Sequence, residues 1–461
     1  MLTLDSYITL DKAAVEASNL CSRFNETDLK KIGNEVYDGY LLDKHSRAKW
    51  ERRTQAAMDL AMQLQKDKNF PWPGASNVAF PLVTIAALQF HSRAYPAIIQ
   101  GTDVVKCRVI GEDPSGEKTA RSKRISSHMS WQVLEEDRSW EEQKDRLLIN
   151  LPIVGTAFNK GYFDAEKGYN VDELVLAQDL VMDYYAKSVE TCPRKTHIIP
   201  RFRNELHSRI KRGVFQDVTA ESWYNQPAAP RQTDATQVRV DARHGMTQPL
   251  SDHTTPFILL EQHVDLDLDN DGYAEPYIIT IEEPTQKVLR IVTGFERFED
   301  IERNKKGEVI SIQRMEYFTK YTFIPSPDGG IYDVGFGVLL GPLNESVSTI
   351  INQLTDAGTM QTTKGGFLGR GAKIRGGVYT FAPLEWKRVD SSGDDLRKNI
   401  VPLEVGEPSV VLFQLLSLLI NYVERISGTT EPMVGEIPGQ NTTAETMRTM
   451  VQEGMRIYSA V

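Results

Sequence analysis

Hydrophobic and polar positions recur along this chain with helical spacing in some segments and strand-like alternation in others. The clearest helical segment begins at Leu343, where apolar residues return every third or fourth position until about Gly358. The opposite face of this predicted helix suits a wet surface that attracts ligands weakly, because its side chains are mostly short and uncharged. They are Glu345, Ser346, Ser348, Thr349, Asn352, Gln353 and Asp356.

The first part of the chain is predicted to be largely helical. Helical patterns cover residues 28–68, 81–93, 118–136 and 139–150, and residues 104–110 alternate as a strand. The first helix must end at Pro71, Pro73 and Gly74, since these residues cannot continue it. A capping box is predicted at Ser139 and Glu142.

The middle of the chain is predicted to be rich in strands. A hairpin is expected within residues 151–181, two or three strands within 257–292 and further strands within 301–323. The basic stretch 194–212 is predicted to be a helix with Pro200 in its first turn, and its charges either contact phosphates or pair with acidic neighbours. Residues 217–256 are polar and aperiodic, which predicts a long loop. The resulting fold class is α+β.

The most apolar run, Val410–Val423, is predicted to be a helix buried on nearly all sides, either in the core or between subunits. It is too short and too interrupted to cross about 30 Å of hydrocarbon. Aromatic-proline loops such as 70–74 either anchor subunit contacts or connect buried helices. The candidate interface residues are therefore Phe70, Trp72, Phe413, Leu416 and Leu419.

Near the end of the chain, Thr442 and Glu445 have capping-box spacing and begin another predicted helix. This helix reaches Val461 without a capping residue, so we expect the natural protein to continue further.

Four passages taken together resemble the portal proteins of tailed bacteriophages, in particular the large portal family of short-tailed phages. They are FPWPGASNVAFPLV (70–83), EQHVDLDLDNDGYAEPYIITI (261–281), the segment 317–381 and EPMVGEIPGQNTTAETM (431–447). The resemblance implies a ring of twelve identical subunits at the portal vertex of the virion, assembled in the host cytoplasm. Double-stranded DNA would pass through this ring, and the partners would be terminase, head-tail adaptor and tail proteins, the major capsid protein and a scaffolding protein.

The resemblance also implies a division of the chain into three regions. Residues 1–197 would form a wing-like α+β region, and residues 198–342 a stem helix with a β-rich, clip-like insertion. Residues 343–461 would hold the returning stem helix, the glycine-rich basic loop, the buried helix and the start of further helices.

Composition narrows the classes of function. The formal charge of −10 argues against a repressor, a nuclease or a histone-like protein, whose affinity comes from neutralising phosphates. It is compatible with a channel, where strong binding would stall moving DNA. Three widely spaced cysteines indicate neither a disulfide framework nor a zinc site, and no signal peptide or membrane association is predicted.

The glycine-rich loop after the Leu343 helix carries Lys364, Arg370, Lys373 and Arg375. It does not match a nucleotide-binding loop, because Lys373 stands one place late and no Ser or Thr follows it. We expect these four residues to contact DNA transiently. The alternative is a β-turn with solvated lysines.

One acidic run, Asp267–Gly272, matches the first half of a calcium-binding EF-hand loop, but Ile278 stands where the bidentate glutamate belongs. A solvated acidic hairpin is therefore favoured, and the alternative is a divalent ion held loosely by the preceding acids and Glu275. The sequence predicts no catalytic residues, no metal site and no cofactor, so the chain is not expected to be an enzyme. The rival functions are a capsid-associated structural protein without a channel and a nuclease or NTPase of a mobile element.

Overall fold

The computed structural model describes residues 4–5, 7–64, 68, 72–99, 101, 103–229, 241, 244–362, 366–368, 372–374, 389–391, 400–402 and 409–426. These residues divide between two compact units. The first takes in Met1–Leu64 and Pro81–Gly341, and the second takes in Gln65–Phe80 and Pro342–Gly454. Helices and antiparallel sheets occupy separate stretches, which confirms the predicted α+β class.

The larger sheet of the first unit has five antiparallel strands in the order β3-β4-β5-β6-β7. They are β3 (Leu180–Met182), β4 (Arg194–Arg201), β5 (Phe257–Leu266), β6 (Glu275–Glu282) and β7 (Val288–Thr293). Successive side chains of a strand point to opposite faces. Leu260 accordingly packs in one core with Ile32 and Tyr40, whereas Leu259 packs in another with Leu206.

The helices that cover this sheet are short apart from one. The N-terminal helix α1 (Lys12–Val15) precedes α2 (Glu26–Ser46), whose first turn is capped by the Asn25 side chain accepting from the Asp28 amide. Helices α7 (Arg203–Lys211) and α8 (Ser222–Asn225) contribute to the core on the other face of the sheet.

A second sheet of the same unit has the order β10-β1-β2, with β1 (Thr156–Asp164), β2 (Tyr169–Leu176) and β10 (Phe318–Thr322). The predicted hairpin within 151–181 is confirmed as β1 and β2. Strands β8 (Ile301–Arg303) and β9 (Val309–Ile312) form a separate antiparallel pair. Helices α3 (Ala48–Ala61), α4 (Leu82–Ile98), α5 (Glu117–Trp131) and α6 (Trp140–Val154) complete the unit, with a π-helical turn at Gln132–Glu136.

The helical pattern predicted over 28–68 is divided at Arg47, between α2 and α3. The guanidinium of Arg47 is buried and donates to the main-chain oxygens of Ala177, Gln178 and Leu180 at 2.5–3.0 Å. It also pairs with Glu51 at 2.8 Å. The break in the helix therefore coincides with a buried connection to the segment between β2 and β3.

The second unit contains most of α9 (Phe336–Thr362) and all of α10 (Val410–Ile426). Two antiparallel pairs lie between these helices in sequence. Strand β11 (Gly366–Leu368) pairs with β14 (Ile400–Pro402), and β12 (Ala372–Ile374) pairs with β13 (Val389–Ser391). The inner pair lies within the sequence limits of the outer one, as in a nested hairpin.

Three local predictions are wrong. Residues 104–110 are extended but belong to no strand, and Pro200 lies in β4 opposite Ile258 rather than in a helix. Ser139 makes no capping bond, because its hydroxyl donates to Asp137.

The predicted boundary between residues 197 and 198 falls inside β4, so regions 1–197 and 198–342 share one sheet. Strands β5 and β6 lie inside that sheet and are largely buried, and therefore do not form a separate insertion.

Candidate functional site

Helix α9 presents the surface that sequence analysis singled out. It has 27 residues, and none of them is a lysine or an arginine. Its exposed face includes Ser346, Thr349 and Gln353. The hydroxyls of Ser346 and Thr349 each donate at 2.8 Å to the main-chain oxygen four residues earlier, that of Pro342 or of Glu345. The helix itself thus uses the hydroxyl donors of Ser346 and Thr349, which leaves a wet surface with little attraction for phosphates.

Another part of the polar face of α9 is not solvated, contrary to prediction. Asn352 and Asp356 are buried against the extended segment 76–80. The Asn352 side chain accepts from the Val78 amide at 2.7 Å and donates to the Val78 carbonyl at 3.1 Å, and Asp356 accepts from the Ser76 amide at 2.6 Å. These bonds replace the water contacts of the segment, so α9 holds the chain that follows the aromatic-proline loop.

The candidate interface residues belong to the aromatic-proline segment 70–74 and to helix α10. Phe70 lies outside the described residues, and Trp72 is partly buried. Helix α10 is not buried within this chain: Phe413 and Leu418 are each 52% exposed, and Leu416 and Leu419 are partly buried. The prediction of a core helix is therefore wrong for the single chain, and a contact between subunits remains a prediction.

Most of the predicted basic loop lies outside the residues that the structure describes. Lys364, Arg370 and Arg375 are not among the described residues, whereas Lys373 lies in β12 opposite Asp390 of β13. Part of the glycine-rich segment is therefore β-structure rather than a loop.

The basic stretch 194–212 forms ion pairs at most of its charged positions, as the more conservative of its two interpretations predicted, but its first part is the largely buried strand β4 and not a solvated helix. Arg194 binds Asp43 through two contacts of 2.7 Å, and buried Lys195 binds Glu316 at 2.6 Å. Arg212 pairs with Glu166 at 3.3 Å. With these carboxylates as partners, the stretch is poorly suited to bind DNA phosphates.

A buried charged cluster, which sequence analysis missed, joins the two sheets of the first unit. Lys160 of β1 contacts Glu261 of β5 at 2.5 Å, and His263 lies 3.2 Å from the same oxygen. Burial, assisted by the charge of Lys160, lowers the pKa of His197 to about 3. His197 also lines a cleft of about 290 Å³. With so low a pKa, His197 is uncharged at neutral pH.

The turn between β5 and β6 brings three carboxylates together. One oxygen each from Asp267, Asp269 and Glu275 lies within 4.8 Å of the other two. Asn270, Asp271 and Gly272 at the tip of the turn are exposed, as the solvated hairpin predicts, whereas Glu275 is fully buried. Burial, together with the charge of Asp269, raises the pKa of Glu275 to about 8. The EF-hand alternative is excluded in its usual form, because the turn leads into strand β6.

Comparison of the chain with protein-family models and with curated proteins yields no match. Among the described residues, no helix combines the length and apolarity needed to cross a membrane.

Proposed function

We propose that this chain is the subunit of a ring-shaped phage portal, which conducts double-stranded DNA into and out of the capsid. The observation that carries the proposal is the exposed face of α9. A 27-residue helix is about 40 Å long. An acidic chain that exposes hydroxyl and amide groups along such a helix can face DNA without holding it, which a conduit requires.

Helix α10 supports the self-association that a ring requires. Six of its large hydrophobic residues are more than a third exposed in the single chain: Val410, Val411, Phe413, Leu415, Leu418 and Tyr422. Contiguous apolar surface of this kind marks protein contacts in soluble proteins. The occupant we propose is the adjacent copy of the chain.

Under this proposal, the energy for packaging comes from a separate terminase, and tail proteins attach to the assembled ring. Lys364, Arg370, Lys373 and Arg375 are proposed as transient contacts with the DNA backbone. Phosphate contacts do not read sequence, so a few transient contacts do not hold the DNA at a particular sequence.

The decisive experiment places a positive charge on the α9 face. In Thr349→Lys, every subunit adds one cation to the proposed channel, so we expect normal rings but DNA binding that is stronger and more sensitive to salt. Packaging, measured as the DNA length protected from nuclease, should fall. The matched control is Ser127→Lys, which changes an exposed hydroxyl on α5.

Ring assembly is read in the same experiment from particle mass and from negative-stain images. About a dozen subunits of 52.0 kDa with a central hole are expected. Particles of this mass without a central hole would favour the alternative of a capsid-associated structural protein without a channel. Equal packaging by Thr349→Lys and the control would show that α9 does not face DNA.

A further inference from the structure

The turn between β5 and β6 contains a carboxyl group whose environment within the chain is incomplete. Glu275 is the first residue of β6 and has no exposed surface. Among the described residues, no N–H group of another residue donates to its carboxylate oxygens, and its side-chain neighbour at hydrogen-bond range is another carboxyl group, that of Asp269. A buried carboxylate is normally paired with a cation or with hydrogen-bond donors, because the loss of water is otherwise uncompensated.

Among the described residues, the side chains that lie close enough to Glu275 to bind one metal ion with it are acidic. They are Asp267 and Asp269, and one oxygen of each lies within 4.8 Å of the other two carboxylates. Such an arrangement increases the electrostatic repulsion instead of relieving it. A cation bound between the three side chains would compensate all of them.

We infer that Asp267, Asp269 and Glu275 form a binding site for a divalent cation, and that the cation is Ca²⁺. All three side chains offer oxygen, the ligand that Ca²⁺ prefers, at distances of about 2.3–2.6 Å from the ion. Oxygens bound to one Ca²⁺ are thus at most about 4.6–5.2 Å apart, and the three oxygens, all within 4.8 Å of one another, satisfy that limit. Mg²⁺ requires a smaller octahedral shell and keeps several waters.

The backbone of the turn holds two of the ligands in place, since the Asp269 carboxylate accepts from the Asp271 amide at 3.1 Å. The Asp267 carboxylate accepts from the amides of Asn270 at 2.6 Å and Gly272 at 3.2 Å. Asn270 and Gly272 have φ values of 63° and 89°, which allow the chain to curl around this carboxylate. Leu268, between the two aspartates, is fully buried in the core beside the sheet. The site differs from an EF-hand in that its third carboxylate comes from a strand.

The experiment uses the full chain, freed of metal with a chelator and then titrated with Ca²⁺ or Mg²⁺ by calorimetry. Saturable binding of one Ca²⁺ per chain is expected, with weaker binding of Mg²⁺. Glu275→Gln should weaken Ca²⁺ binding at least tenfold. The control is Asp164→Asn, which neutralises a carboxylate at the β1–β2 turn and should bind Ca²⁺ as the original chain does.

A second measurement tests the same site without depending on the calorimetric signal. Ca²⁺ should raise the melting temperature of the original chain and of the control, but not that of Glu275→Gln. In the presence of chelator, Glu275→Gln should melt at the same or a higher temperature than the original chain, because glutamine has the shape of glutamate and cannot ionise. This result would also show that the variant folds.

The competing explanation is a proton shared between Asp269 and Glu275. It predicts no saturable Ca²⁺ binding at millimolar concentration and no Ca²⁺-dependent rise in melting temperature. Either of those results would overturn the inference, as would undiminished Ca²⁺ binding by Glu275→Gln. The outcome is independent of whether the chain forms a ring.

Discussion

The contact between subunits proposed for α10 can be tested quantitatively through Phe413 and Leu418. Each residue is 52% exposed in the single chain. Complete burial of such a side chain contributes about 1.5–3 kcal/mol, so covering the exposed half contributes about 1 kcal/mol for each residue. The double variant Phe413→Ala/Leu418→Ala should therefore weaken each contact between subunits by about 2 kcal/mol.

A loss of about 2 kcal/mol corresponds to about a 30-fold higher dissociation constant. A closed ring has as many interfaces as subunits, so the concentration at which half of the rings dissociate should rise by about the same factor. Single-particle mass measurements over a dilution series give this concentration directly.

The matched control is Leu42→Ala/Ile125→Ala. These two residues are 67% and 41% exposed and lie on α2 and α5 of the first unit. The control should dissociate at the same concentration as the original chain. If the α10 variant does not differ from the original chain, or if the control shifts equally, α10 is not the contact between subunits.

Two further predictions concern the interior of the protein. Because burial lowers the pKa of His197 from 6.5 to about 3, the unfolded chain binds a proton that the folded chain excludes. Stability is therefore full above pH 6.5 and falls toward pH 3 by about 1.4 kcal/mol per pH unit for this group. Urea unfolding at pH values between 7 and 5 gives the free energy of unfolding as a function of pH. This free energy should change less with pH in His197→Gln than in the original chain, whereas exposed His253→Gln should show the same pH dependence as the original chain. Equal pH dependence in His197→Gln and the original chain would contradict the assignment of the effect to His197. In the second unit, Asn352→Ala removes both bonds to Val78, so hydrogen exchange at the Val78 amide should accelerate at least tenfold. Unchanged exchange there would show that other contacts hold the segment.

Helices and strands were predictable from the sequence where a single spacing of hydrophobic residues dominates. Three strands lie where alternation predicted two or three, within residues 257–293. Helix α9 begins earlier than predicted, at Phe336, although Gly337 and Pro342 are poor helix formers. At Gly337 an added Cβ would lie 2.2 Å from the Cβ of Ala57, so the glycine permits a close approach to α3. A contact between residues so far apart in sequence leaves no signal in local spacing.

Pro200 shows how a strong local signal can indicate the wrong element. Proline suits the first turn of a helix, but it also suits a strand position whose amide needs no partner. The pairing of β4 with β3 extends only from Lys195 to His197, so Pro200 has a strand on one side alone. Sheet order thus permits the proline, and sheet order could not be read from the sequence.

Polar rows at helical spacing were the least predictable feature, because such rows can face water or a main chain. Ser122, Ser126 and Ser130 of α5 bond to the main chain of Val105 and Cys107, as Asn352 and Asp356 of α9 bond to segment 76–80. In both cases an extended segment obtains from side chains the partners that a neighbouring strand would provide.

Whether a polar group faces water or lies buried in the protein also separates the two interpretations of the acidic turn. Its spacing of carboxylates is evident in the sequence, and taken alone it suits a solvated hairpin. The distinguishing feature is the burial of Glu275, which follows from its place opposite Leu266 at the start of β6. A carboxylate in that position requires a compensating partner, whereas an exposed one does not. The tertiary position of one residue therefore decides between a solvated turn and a cation site.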